Sequence, residues 1–455
     1  MKWMLRGVSA ATIMLLVSGG DHAASSAAEP SGSAAKAAWW PQFRGPSGDG
    51  IAMQQNPPVE FGGETTSLWR TELVGKGWSS PVVADGVVWM TTAVERQPTE
   101  EERLELLRKT DNDEKKFRTL AIAASIELKL LAVDLQSGSL TKTIDLTTVQ
   151  QPDAIHSLNS YASPTPVIDG DSVFCHFGTF GTFCIDRDSG DVVWSRVLPL
   201  KHAVGPGSSP MVYDDKLILI QDGMEQQYVV ALDKATGETI WKADRPPMRA
   251  SNGDQRKSYC TPIAIEDSKG RDQLICMGAQ WMISLDPSSG EEIWRVDHGS
   301  GFSVVPRPVV HQDLVIFATG FGSKELWAVD VTGTGDVSNT HVRWTVSRGV
   351  PTKPSPLLLD GLLYIVDDSG VASCFAADDG SVVWKKRLGG NFSASPLLAG
   401  GRIYFANHDG DVFVVRPGDE FDLVQENHLG EQIMASPVAV EDSLLIRTDQ
   451  AIYRF

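Results

Sequence analysis

Eight residue-proline pairs open short apolar runs along this 455-residue chain: Ser80-Pro81, Ser163-Pro164, Ser209-Pro210, Thr261-Pro262, Arg307-Pro308, Ser355-Pro356, Ser395-Pro396 and Ser436-Pro437. After the first step they recur every 40 to 52 residues, the period of propeller blades. Each pair leads into an apolar segment such as Pro356 to Leu359, a turn such as Asp360-Gly361, and a second run such as Leu362 to Val366. That order reads as strand, tight turn, strand.

A third run ends in a spaced signature: Asp186, Gly190, Trp194; Asp233, Gly237, Trp241; Asp286, Gly290, Trp294. Glycine supplies the positive φ of a hairpin and aspartate bonds back to the turn. The tryptophan then falls on a fourth strand, where its area wedges between blades. Some copies are degraded. Ala376 replaces the aspartate ahead of Gly380 and Trp384, a longer turn separates Asp330 from Trp344, Asp134 and Gly138 lack the tryptophan, and the copy around Gly418 is weakest. Such decay is expected where packing, and not chemistry, preserves a repeat.

The last opening leaves room for only three strands before Phe455, and Leu68 to Leu73, with Trp69, supplies the missing fourth. An N-terminal strand completing the C-terminal blade leaves no long free edge. The fold class is therefore all-β, an eight-bladed β-propeller of four-stranded antiparallel blades, with an open solenoid or a seven-bladed ring as the alternative. Residues 39–455 form it as one domain, and 42% hydrophobic content suffices to fill a core stacked between blades.

Residues 1–28 read as a signal peptide, with Lys2 and Arg6, an apolar run from Val8 to Val17, and small residues at Ser26-Ala27-Ala28. No cysteine follows to accept a lipid, and residues 29–38 read as a flexible Ala/Ser linker. These features predict a periplasmic or secreted protein with no transmembrane segment. Of five cysteines, Cys175 and Cys184 flank one hairpin loop and Cys260 and Cys276 flank a turn; each pair is a candidate disulfide or two buried thiols, and Cys374 is left over. Neither a haem-attachment motif nor a zinc spacing occurs.

The signature, best seen in Ala231-Leu232-Asp233-Lys234-Ala235-Thr236-Gly237-Glu238-Thr239-Ile240-Trp241, resembles the pyrroloquinoline-quinone (PQQ) repeat. Trp40-Pro41-Gln42-Phe43-Arg44-Gly45-Pro46 is similar to the leader of secreted bacterial PQQ-like propeller proteins. The resemblance covers nearly all of residues 39–455 and implies two functions. Quinoprotein alcohol and glucose dehydrogenases bind PQQ and calcium over the ring centre. The propeller of the outer-membrane β-barrel assembly machinery is a non-catalytic scaffold. The chain has no adjacent Cys-Cys pair and no alignable Glu/Asn/Asp set, so no catalytic residue is carried over. It also lacks the lipid-acceptor cysteine usual in the assembly factor.

Binding candidates lie between repeats, on the face carrying the blade-to-blade connections. They are Lys76 and Trp78; His156, Asn159 and Tyr161; His202; Arg249, Asn252, Arg256 and Lys257; Arg307; Lys353; and Asn391. The connections carry 16 Lys/Arg against 8 Asp/Glu, although the chain as a whole stands at −18. A basic rim of this kind favours an anionic ligand or partner segment, while solvated surface charge is the plainer reading. The overall charge and export both disfavour nucleic acid.

A helical insertion at about residues 95–124 interrupts the first blade. Thr99 and Glu102 form a capping box for a helix from Glu100 to Lys109, and a second helical stretch follows from Asp113 to Ala124. It emerges on the connection face. His156 and His176 lack metal spacing, and no Gly-x-Ser-x-Gly elbow or Walker loop is present. The expected function is thus a non-catalytic binding propeller for a protein, peptide or envelope polymer, with no cofactor. The alternatives are a PQQ- and calcium-dependent oxidoreductase and an outer-membrane protein assembly factor.

Overall fold

The structure, a computed structural model, describes residues 38–62, 66–110, 114–202 and 204–455. The signal peptide and all but the last residue of the linker lie outside the described residues. Eight four-stranded antiparallel blades surround one axis, and two of them, the fourth and the seventh in chain order, each gain a two-residue parallel strand, Gly335–Asp336 and Ile51–Ala52. Their inner strands are Val82–Ala84, Val167–Asp169, Met211–Tyr213, Ile263–Glu266, Val309–His311, Leu357–Leu359, Leu397–Ala399 and Val438–Val440, which number blades 1 to 8. The outer strand of blade 8 is Trp69–Glu72, antiparallel to Ala451–Arg454 with Trp69 opposite Arg454. The N-terminal strand therefore closes the ring, as the strand deficit predicts.

The residue-proline repeat has a direct physical cause. The backbone N–H of each small residue donates to the hydroxyl of its counterpart in the next blade. Ser80 donates to Thr165 at 2.9 Å, Thr165 to Ser209 at 2.9 Å, and Ser209 to Thr261 at 3.1 Å. Arg307 donates to Ser355 at 3.0 Å, Ser355 to Ser395 at 3.0 Å, Ser395 to Ser436 at 2.9 Å, and Ser436 back to Ser80 at 3.1 Å. The circuit corrects one reading, because blade 2 opens at Thr165-Pro166 and not at Ser163-Pro164. Ser163 belongs to the preceding loop, where its hydroxyl donates to Asn159 Oδ1 at 2.6 Å. The fifth position carries arginine, so Thr261 meets no hydroxyl there.

The signature also works between blades. Trp194 Nε1 donates to the Lys234 carbonyl at 3.0 Å and Trp241 Nε1 to the Pro287 carbonyl at 3.1 Å, each in the turn of the next blade. The indole lies on the turn's glycine: a Cβ on Gly237 (φ +74°) would sit 2.7 Å from Trp194 Cε3. The same fit joins Trp69 to Leu135 and Gly138, and Trp344 to Ala377 and Gly380, whereas Trp384 keeps only the hydrogen bond, to the Gly418 carbonyl at 3.1 Å. Blade 1 has Lys142 at the tryptophan position, and its Nζ reaches the equivalent carbonyl, that of Arg187, at 3.2 Å. Blade 7 needs no tryptophan, because blade 8 has no turn joining its third and outer strands.

All five cysteines are free and buried, which corrects the candidate disulfides. Cys175 pairs across its hairpin with Phe183, and Cys184 with Phe174. One position of offset turns the two thiols to opposite sheet faces, Cys175 packing toward blade 1 and Cys184 toward blade 3. Cys260 and Cys276 likewise sit in separate clusters on either side of blade 4.

Candidate functional site

The axis is filled at one end by residues 40–52. Trp40 and Val83 exchange backbone hydrogen bonds at 2.8 Å, Ile168 N–H donates to the Pro41 carbonyl at 2.8 Å, and Leu398 N–H to Gly50 at 2.9 Å. Ile51–Ala52 then runs parallel to the inner strand of blade 7. Two buried arginines hold this plug. Arg44 Nη2 donates to the carbonyl of Asp49 and, at 2.7 Å, to that of Pro356. Arg307 Nη1 takes the carbonyls of Phe43 at 2.9 Å and Gly48 at 3.1 Å, while Nε and Nη2 take that of Pro262 at 3.2 and 2.9 Å. Only glycine fits at position 48, since a Cβ there would lie 2.0 Å from Arg307 Nη1. Burial pulls both guanidinium pKa values down, Arg44 to about 9 and Arg307 to about 10.

At the opposite end, on the connection face, the mouth of the ring gathers His156, Lys353, Asp368 and His408. Thr352 donates to Asp368 Oδ2 through its N–H at 2.8 Å, and Lys353 Nζ lies 3.4 Å from Asp368 Oδ1. His408 Nε2 is 2.8 Å from Ser393 Oγ, and its N–H donates to the Asn391 carbonyl at 2.8 Å. Burial, and after it the Lys353 charge, lowers the pKa of His156 and takes that of His408 to about 4. Both imidazoles are thus neutral at pH 7, and Lys353 is the cation of the mouth. Asp368 and His408 escaped the sequence reading because they sit in turns between second and third strands, which reach the same face as the connections.

The insertion braces this face. Its helix, Glu100–Arg108, is capped by Thr99 Oγ1, which accepts from Glu102 N–H at 3.2 Å. A short 3-10 turn, Glu114–Thr119, follows, and Leu120–Ala121 pairs with Ile155–His156. Leu106, Leu107, Phe117, Leu120, Ile122 and Ala154 form a small core of their own, with Val204 packed against it. Lys116 bridges to Asp254 on the connection between blades 3 and 4.

The other candidates are built into the scaffold. Tyr161 is fully buried and donates to the Asp153 carbonyl at 3.0 Å. Asn159 ties the Val204 and Pro206 carbonyls at 2.9 and 3.0 Å. Lys257 Nζ is buried between the His202 carbonyl at 2.9 Å and Asp254 Oδ1 at 3.0 Å. Burial pushes Asp254 up, but Lys257 and Lys116 outweigh it and hold the carboxyl below its usual range. Asn252 caps the Gly253–Arg256 turn, and Arg256 Nε donates to Ala250 at 2.7 Å. Arg249 is exposed, pairs with Asp297 at 2.6 Å and stacks on Trp281. Lys76 stacks on Trp78 at 5.3 Å, and Asn391 is exposed at the mouth. Arg307 lies on the axis at the plug, not on the rim.

Calcium with PQQ would need carboxylate and amide oxygens converging over the ring centre. The mouth offers Asp368, already shared by Thr352 and Lys353, and the exposed Asp409 beside His408, and the axis offers arginines. Among the described residues no group of three His, Cys, Asp or Glu side chains is placed to hold a metal ion. The residues present do not fit that pair.

A family model described as outer membrane protein assembly factor BamB matches residues 64–243 and 278–420. Tetrathionate hydrolase of Acidithiobacillus ferrooxidans is 24% identical over 53% of this chain and 49% of its own. The outer membrane protein assembly factor BamB of Shewanella oneidensis is 24% identical over 40% of this chain and 48% of its own. The chain thus spans about half the length of these curated relatives. A europium-containing methanol dehydrogenase superposes with a TM-score of 0.61 at 12% identity, over 91% of this chain and 90% of that one, which shows a shared fold. No helix among the described residues is long and apolar enough to cross a membrane.

Proposed function

The chain belongs to the PQQ-like repeat propeller family described as outer membrane protein assembly factor BamB, and from that premise we propose that it is an exported, non-catalytic scaffold. The observation that carries this reading is the occupancy of the axis: the chain's own residues 40–52 and two arginines fill one end, and a lysine with neutral imidazoles lines the other. A propeller so arranged recognises through its connection face, where many loops each contribute a little. The partner is a protein segment bearing a carboxylate, which displaces Asp368 from Lys353 at the mouth. The name of the related assembly factors supports an envelope protein as that partner.

The test places a photo-crosslinking residue at Asn391 and compares the wild type with Lys353→Glu in envelope extracts. A discrete envelope-protein adduct, lost in Lys353→Glu while the melting temperature holds, is the expected result. Equal crosslinking in both forms, or dye reduction by purified protein given PQQ and calcium, overturns the proposal.

A further inference from the structure

At the plugged end, opposite the mouth, the ring encloses a cavity of about 220 Å³. The plug's backbone is hydrogen-bonded to inner strands of blades 1, 2 and 7. Toward blades 3 and 4 a space opens between Gln42 on the plug and the apolar wall of Met211, Val212 and Ile263. The two ends of this space differ in charge. Arg307 lines it and is fully buried, whereas Asp272 lines it and is exposed, with Tyr213 hydrogen-bonded to it.

Arg307 is there because of a break in the repeat. Seven blades carry serine or threonine in the hydroxyl circuit, and only blade 5 places a cation on the axis. Its Nε and Nη1 are saturated by carbonyls, but Nη2 has one strong acceptor, the Pro262 carbonyl at 2.9 Å. Its other neighbour is Met211 Sδ at 3.9 Å on the cavity wall, and a thioether is a weak acceptor. No carboxylate lies within ion-pairing distance of Arg307 among the described residues, and Asp49 acts on it only from a distance, so a buried positive charge with no direct counter-ion lines the open volume. A buried cation of this kind gains most from an anion that shares its low-dielectric surroundings.

We propose that this cavity binds a short apolar zwitterion of dipeptide size. Its carboxylate pairs with Arg307, its apolar side chains rest on Met211, Val212 and Ile263, and its ammonium meets Asp272. The site is separate from the mouth, so failure of one assignment leaves the other standing.

Isothermal titration of the full chain with leucyl-leucine, its C-terminal amide and octanoate tests this. Leucyl-leucine binds, and the amide, which lacks the carboxylate, binds at least about ten-fold more weakly. Octanoate, lacking the ammonium, is weakened similarly. Arg307→Ser supplies the hydroxyl that Thr261 lacks, so the ring closes, and it loses dipeptide binding. Asp272→Asn, at an exposed position, weakens leucyl-leucine but not octanoate and decides the matter if Arg307→Ser melts early. Absence of binding heat at millimolar leucyl-leucine, equal affinity for the dipeptide and its amide, or unchanged affinity in Asp272→Asn overturns the proposal.

Discussion

Ser395 shows why a hydroxyl and an N–H belong at one residue. Its Oγ accepts the Ser355 N–H at 3.0 Å, and its own N–H donates to Ser436 Oγ at 2.9 Å. Ser395→Ala keeps the second bond but strands the Ser355 N–H in a dry interior. An orphaned buried donor costs about 1–3 kcal/mol, so urea unfolding of Ser395→Ala shows that loss, while Ser395→Thr, the residue found at 165 and 261, stays near the wild type. A loss below experimental error in Ser395→Ala would mean that the circuit is incidental. The proline after each hydroxyl residue was legible because it lacks an N–H and marks the strand entry. The register of blade 2 was not, because Ser163-Pro164 and Thr165-Pro166 satisfy the same pattern and only the circuit separates them.

At the scale of the element, the unit of the fold is an outer strand together with the turn of the following blade. Trp241 is buried, and its indole both packs on Gly290 and donates to the Pro287 carbonyl at 3.1 Å. Trp241→Ala therefore costs about 3–5 kcal/mol, the range for emptying a large aromatic site. Lys142→Ala loses a solvent-edge contact to the Arg187 carbonyl and costs under about 1 kcal/mol. Paired denaturation curves check the contrast, and equal losses would contradict it. The blades and their closure were legible because strand alternation, turn glycines and tryptophans repeat. The plug was not, since residues 40–46 have no repeat partner and gave only a resemblance to a leader. Half of the mouth was legible: His156 and Lys353 lie in connections, whereas Asp368 and His408 lie in turns inside blades 6 and 7, where the Asp-Asp-Ser-Gly and Asn-His-Asp-Gly spacings mark a turn and no chemistry.

For the whole molecule, acid is the stress that the ring is least built to bear. Burial takes the pKa of His176, His298 and His408 to about 4 and that of His202 to about 3. These residues are spread over blades 2, 4 and 7 and the connection after blade 2, so no single blade carries the effect. An unfolded imidazole titrates near 6.5, so from about pH 6.5 down to about 4 the unfolded chain binds more protons than the native one, and stability falls as pH falls. Asp222 works in the opposite sense. Burial raises it to about 6 despite its bond to Arg245 at 2.8 Å, so the native state holds an extra proton between about pH 4 and 6 and gains stability there. Five lowered imidazoles, His156 included, against two raised carboxyls, Asp222 and Glu292, leave a net loss, and the melting temperature drops steadily between pH 7 and pH 5. His202 accepts the Thr179 N–H at 3.0 Å through Nε2, a bond that a glutamine amide oxygen reproduces. His202→Gln should then flatten the dependence of unfolding free energy on pH, near pH 5, by about 1.4 kcal/mol per unit, the effect of one proton. An unchanged slope in that variant would mean that His202 is protonated in the native ring, and that the interior at blades 2 and 3 is wetter than its packing implies.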